Sequence, residues 1–184
     1  GVRRIEAITG TKAAAVIREH FELAQSLKDI LNSPKDFVSA IAKIMEENGA
    51  LKKEVEEAIR EKSGAIKKEL EAKIENIDGV NFLATKVDLP STDAVKALGF
   101  ALKGSNPHTF LVLGAEIDGK PSLTVVISDA LVKDKGLNAG TIIRDLAKDI
   151  QGGGGGQPFF ATAGGKDASG LDKAIARAKD FLTK

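Results

Sequence analysis

Five consecutive glycines, Gly152–Gly156, are followed by Gln157-Pro158-Phe159-Phe160 and, a little later, by Gly164-Gly165-Lys166-Asp167. Glycine loses more backbone entropy on ordering than any other residue, so such a run inside a folded domain needs a compensating reason. The chemistry it offers is close approach of backbone N–H groups to an anion such as a phosphate. Pro158 is placed to open a short helical turn whose first N–H groups would face the same ligand. A flexible linker is the other use of bare glycine, but this run lies between a helical pattern and dense apolar sequence, without the serines that extend linkers. No Gly-Lys-Ser/Thr follows, so it is not a nucleotide P-loop. It follows a helix and not a strand, so it is not a dinucleotide fingerprint. Candidate contacts to an anionic partner are the backbone of Gly152, Gly153, Gly154, Gly155 and Gly156, then Gln157, Gly164, Gly165 and Lys166, with Lys133, Lys135 and Arg144 as further cations. On this reasoning Gly154→Val is expected to weaken anion binding and leave the helices intact.

Composition removes most other chemistries. The 184 residues hold no cysteine, which excludes a thiol nucleophile, a cysteine zinc site or an iron–sulfur cluster within the chain and fits a reducing, cytoplasmic setting. His20 reads as a packing histidine on a helix face and His108 as an exposed turn residue; neither has acidic neighbours at metal-ligand spacing, so no catalytic or metal residue is expected. A net charge of +1 gives no global attraction to nucleic acid, so any such binding must come from a local patch. Phenylalanine is the only aromatic type, and it is the ring most often needed for core, which makes base stacking a poor default. No apolar run approaches the roughly 18 residues of a membrane span.

The elements that must position the glycines fall into two parts. Up to Asp78, 29 of 78 residues are charged and four are Gly; from Gly79 on, 24 of 106 are charged and 15 are Gly. That shift sets expected domains of 1–78 and 79–184. In the first, apolar residues at Ala13, Val16/Ile17, His20/Phe21, Ala24, Leu27 and Ile30/Leu31 predict a helix capped by Thr11. Ser33-Pro34 is expected to cap a second helix running on to Ile77, the pair forming an antiparallel hairpin. The first helix, at 1.5 Å per residue, covers only the first half of the second. Val55, Ile59, Ile66, Leu70 and Ile74 must therefore pack on the back half of the chain, on a second copy or on a domain upstream.

In the second part, Val80–Val87, Thr109–Ile117 and Leu123–Ile127 read as strands, with Asp118-Gly119 as a hairpin turn. Thr92–Leu102, capped by Ser91 or Thr92, and Asn138–Ile150 read as helices, and Ser169 with Asp172 reads as a capping box for a last one. The predicted class is α+β, a mixed sheet with helices packed on it, preceded by the long helical hairpin.

A resemblance joins these observations. Gly1-Val2-Arg3-Arg4-Ile5-Glu6-Ala7-Ile8-Thr9-Gly10 resembles the close of the editing domain in alanyl-tRNA synthetases. The capped helices and the glycine segment ending in Ala163-Gly164-Gly165-Lys166-Asp167 match the C-terminal region of the bacterial enzymes in the same order. With Gly1 in place of an initiator methionine, the chain reads as a piece of a longer protein. The resemblance implies a region without a catalytic centre. Its helices link, and in some members dimerise. Its globular part resembles the domain attached to DHH phosphoesterases and binds the elbow of alanine-specific tRNA, bridging the aminoacylation and editing centres. The implied partners are that tRNA and the upstream domains; ATP, Mg and Zn would belong to those domains, leaving this part without a cofactor. The family usually carries Arg or a similar residue after the glycines and polar residues after the proline, where this chain has Gln157 and Phe159-Phe160. The alternatives are a dimerisation module built on the long helix and, further off, a phosphoesterase-like enzyme, which would need His after the glycines.

Overall fold

The computed structural model describes residues 3, 4, 6–32 and 34–182. Ser33, and Gly1, Val2 and Ile5 of the opening decapeptide, lie outside them. Two compact units are present, Gly1–Val55 and Glu56–Lys184. None of the described helices is long and apolar enough to cross a membrane.

Two helices lead the chain, α1 (Gly10–Ile30) and α2 (Phe37–Glu71). The N-cap of α1 is Thr9 and not Thr11. The cap of α2 is supplied by Asp36, whose carboxylate accepts from the N–H groups of Val38 and Ser39 at 3.0 and 3.2 Å; Pro34 stands outside the helix. Within Gly1–Val55 the expected burial between the helices is not found. α1 buries no residue, and Ile17, Phe21 and Ile30 on it and Ile44, Met45 and Leu51 on α2 are exposed. His20 is exposed too, its Nδ1 2.7 Å from the Val16 carbonyl, so it is no packing histidine.

α2 ends at Glu71, earlier than its periodicity suggests. Ile77 instead falls in β1 (Glu75–Ile77), which turns back through Asp78-Gly79 into β2 (Val80–Lys86). Both turn residues have positive φ, 49° and 79°, the geometry Asp-Gly supplies most readily. The C-terminal part of α2 and the following turn answer the question of the uncovered stripe. Leu70 is buried, and Ile59, Ile66 and Ile74 pack on the same core, so the stripe is covered by the chain's own globular part while Val55 stays exposed.

That part is one mixed sheet in the order β1-β2-β3-β4-β6-β5. β2 and β3 (Thr109–Ile117) run parallel, joined by α3 (Thr92–Ser105), whose Ser91 cap accepts from the Ala94 N–H. β3 and β4 (Lys120–Ile127) form the hairpin predicted at Asp118-Gly119. Then come α4 (Asp129–Asp134), α5 (Ala139–Leu146), β5 (Gly153–Gln157), β6 (Phe160–Gly164) and α6 (Leu171–Arg177). α6 is preceded by a 3-10 turn capped by Asp167, whose carboxylate accepts from the Ser169 N–H; the expected capping box on Ser169 is not formed. Alternation along the strands divides the core. Phe82, Phe110, Val112, Leu123 and Val125 face α5 and α6, while Leu83, Leu111, Leu113 and Val126 face α3 and the end of α2.

Candidate nucleic-acid interface

The glycines do not form a loop. They form β5, an edge strand paired antiparallel with β6 alone: Gly153 opposite Gly164, Gly154 opposite Ala163, Gly155 opposite Thr162, Gly156 opposite Ala161. α5 delivers the chain to this edge. Asn138 caps it by accepting from the Thr141 N–H at 3.1 Å, and hydrogen-bonded turns continue past Leu146 to Gln151. There a left-handed φ of 50° and a 2.9 Å bond from the Gly152 N–H to the Ala147 carbonyl close the helix and start the strand.

Alternate glycines have different reasons to be glycine. A Cβ on Gly152 would lie 2.1 Å from the Gly164 carbonyl oxygen, one on Gly154 2.3 Å from that of Thr162, and one on Gly156 2.3 Å from that of Phe160. These three are dictated by the close approach of β6. A Cβ on Gly153 would meet nothing within 4 Å, and one on Gly155 only the Arg144 Nη2 at 3.9 Å. Neither of these two needs to be glycine for the chain's own packing. The expectation for Gly154→Val is corrected accordingly, because valine there would collide with β6 and disrupt the sheet edge.

Pro158 opens no helical turn. With Phe159 it forms the two-residue connection between β5 and β6, where its missing N–H costs nothing. The edge is thus not a cradle of converging donors. A strand edge offers N–H and C=O in alternation, which suits a surface of mixed donors and acceptors, such as ribose hydroxyls beside phosphates, better than one isolated anion.

The predicted side chains divide between this edge and the far side of the sheet. Arg144, exposed on α5, reaches the Gly155 position and has no ion-pair partner among the described residues. Its acidic neighbour Asp145 is taken by Lys148 at 2.9 Å and Arg177 at 2.8 Å. The hydrogen bond from Lys148, with the positive charges of Lys148 and Arg177, outweighs burial and holds the Asp145 carboxyl below its ordinary range. Gln157 is exposed opposite Phe160, and Gly164 closes the strand pair. Gly165 is fixed by packing, since a Cβ there would lie 2.2 Å from the Ile150 carbonyl; Lys166 follows it, exposed. Lys133 and Lys135 belong to a different element, and Lys135 is not part of this edge. They lie on and just after α4, and the Lys135 ammonium donates to the Asp78 carbonyl at 3.2 Å, in the β1–β2 turn. Asp78 borders β2, four strand spacings from β5 or about 19 Å at 4.8 Å each.

Residues that composition argued against stand beside the edge. Phe159 is 38% exposed at the hairpin tip with the Lys103 ammonium 5.4 Å from its ring centre. Phe160 stacks on Phe100 at 5.2 Å under Lys96. Reading 153–164 as a hairpin with a two-residue turn would have placed one phenylalanine at its tip.

Residues 79–184 match the DHHA1 domain. The chain belongs to that family. Over 99% of its length it is 46% identical to the alanine–tRNA ligases of Cytophaga hutchinsonii and Christiangramia forsetii, and it spans about a fifth (21%) of their length. The DHHA1 fold is also that of the crystal structure of the C-Ala domain from Aquifex aeolicus alanyl-tRNA synthetase, at TM-score 0.55 and 21% identity, covering 60% of this chain and 98% of that one. The expected resemblance to alanyl-tRNA synthetases is therefore present along the whole chain.

Proposed function

We propose that this chain binds tRNA through the β5 edge, as the C-terminal region of an alanine–tRNA ligase, holding the elbow of alanine-specific tRNA while upstream domains carry aminoacylation and editing. The observation that carries the reading is the conjunction at that edge. For Gly153 and Gly155 a Cβ would meet no close internal neighbour, and beside them stands Arg144, a cation without an ion-pair partner among the described residues. Glycine in a strand costs roughly 0.5–1 kcal/mol relative to alanine, a cost that close approach by a polynucleotide backbone would offset. Gln157, Gly164 and Lys166 extend the same surface. With so few cations the isolated chain binds modestly, and the upstream domains add avidity. In this reading the chain works in the cytoplasm and supplies no cofactor or catalytic group of its own.

The test is a titration of alanine tRNA with the chain at several salt concentrations, joined to a cleavage footprint. The expected result is weak, salt-sensitive binding with protection at the elbow. Protection confined to the acceptor stem would contradict the placement, and absence of binding at low salt would contradict the reading itself. A second reading, dimerisation through the N-terminal helices, rests on the exposed Ile41, Ile44, Met45, Leu51 and Val55 of α2. Sedimentation at several concentrations separates the two, since a tight dimer indifferent to tRNA would favour the second.

A further inference from the structure

We infer that Phe159 is a stacking platform for a nucleobase. This inference rests on the tRNA-binding reading above and names the part of the RNA that meets the tip of the β5–β6 hairpin. Among the described residues of Glu56–Lys184, Phe159 is the one large apolar side chain left exposed; every other is buried or half-buried. A single exposed apolar residue is unremarkable in itself. What sets this one apart is the fixed turn that carries it and the cation beside its ring.

Both carbonyls of its turn are anchored to regular structure. The Pro158 oxygen accepts from the Ala139 N–H at the start of α5 at 2.8 Å, and the Phe159 oxygen accepts from the Ile127 N–H at the end of β4 at 2.9 Å. The Lys103 ammonium stands over the ring, itself tied to Asp129 at 3.3 Å. The second carbonyl bond continues the β4–β6 ladder beyond Val126–Phe160 and the first satisfies an N–H at the start of α5, so the fold itself holds this turn in place. The backbone that carries the exposed ring is thus placed before any partner arrives, with a cation beside the ring, which lowers the entropy lost on binding. The ring also continues the surface of the bare strand, through Gln157 at the end of β5. A flat π surface next to a cation and a strand edge of donors and acceptors is chemically matched to a base whose own backbone runs along that edge. The partner is an exposed base face, unpaired or at the end of a stack, of either purine or pyrimidine type, because stacking on an aromatic ring discriminates little among bases.

The experiment compares tRNA binding by the wild-type chain with Phe159→Leu and Phe159→Tyr, each over a range of salt. Leucine keeps most of the apolar volume and loses the ring; tyrosine keeps the ring. The expected result is about tenfold weaker binding for Phe159→Leu, affinity within about twofold of wild type for Phe159→Tyr, and the same salt slope for all three, since no phosphate contact is lost. Unchanged affinity in Phe159→Leu, an equal loss in Phe159→Tyr, or a reduced slope in either would overturn the platform while leaving tRNA binding intact. Failure of the wild-type chain to bind tRNA would overturn both. A melting transition unchanged in Phe159→Leu ties the loss to the surface and not to the fold.

Discussion

Valine introduced at Gly153 and, separately, at Gly154 distinguishes the two reasons for glycine in β5. The Gly154 Cβ would fall 2.3 Å from the Thr162 carbonyl and 2.4 Å from the Ala163 Cβ, so backbone must move to admit it. Overpacking costs about 1–3 kcal/mol, and a collision with backbone belongs at the upper end. For a chain of this size 1 kcal/mol lowers the melting temperature by about 2–4 °C, so Gly154→Val should melt roughly 6–12 °C below wild type. The Gly153 Cβ meets nothing within 4 Å, and valine favours strands, so Gly153→Val should melt at or slightly above the wild-type temperature. Its tRNA affinity should nonetheless fall, because its two γ-methyls stand where the polynucleotide backbone would lie. Calorimetry or circular dichroism reads the first quantity and a mobility shift the second. Wild-type tRNA affinity in a stable Gly153→Val protein would refute the idea that this glycine is kept bare for a partner. A stable Gly154→Val protein would refute the strand pairing itself.

Three other outcomes follow from the same structure. Arg144→Gln should weaken tRNA binding a few-fold and reduce the salt slope by about 1, the signature of one lost phosphate contact, whereas Lys135→Gln, across the sheet, should change neither. Gly64→Ala, in the part of α2 that packs on the sheet unit, should raise the melting temperature by about 2–4 °C, since glycine costs a helix about 1 kcal/mol and the Cβ meets nothing within 4 Å. Acid should destabilise the α5–α6 packing. Burial alone would raise the pKa of Asp149, whose side chain is 6% exposed, but hydrogen bonds from Lys173 and Arg177 outweigh it and hold the carboxyl below its ordinary 3.8. A depressed folded-state pKa contributes stability above the unfolded value that is lost as pH falls through the folded one. The urea midpoint should therefore be flat from pH 7 to about 5 and fall below about 4. In Asp149→Asn the midpoint at neutral pH should be lower and the acid loss shallower.

The sheet unit was the more legible half of the sequence because its signals are local. Asp118-Gly119 between apolar runs fixes a hairpin by turn chemistry, and Ser91 before Thr92–Ser105 fixes a helix start, so β3, β4 and α3 lie where patterning puts them. The errors at the front have one cause. A helical period carries no stop of its own, and Ile74 and Ile77 continue it by spacing, while the Asp78-Gly79 turn that pulls Glu75–Ile77 into a strand shows in the sequence only as a change in composition. Whether Ile59, Ile66 and Leu70 meet the chain's own sheet or another partner is a tertiary question on which spacing is silent.

The glycine strand shows a deeper limit. In sequence the five residues are identical, and identity suggested a single cause, a backbone opened to an anion. In the fold they alternate, because a strand sends successive Cβ positions to opposite sides. Gly152, Gly154 and Gly156 answer to β6, and only Gly153 and Gly155 are left for a partner to explain. A ligand therefore has two of the five glycines to explain, not the whole run. Internal packing accounts for the other three and for neither of these two. The exposure of Phe159 is equally silent in the sequence. It follows from the two-residue turn between β5 and β6, and a run of glycines, which carries no strand pattern of its own, does not announce that turn.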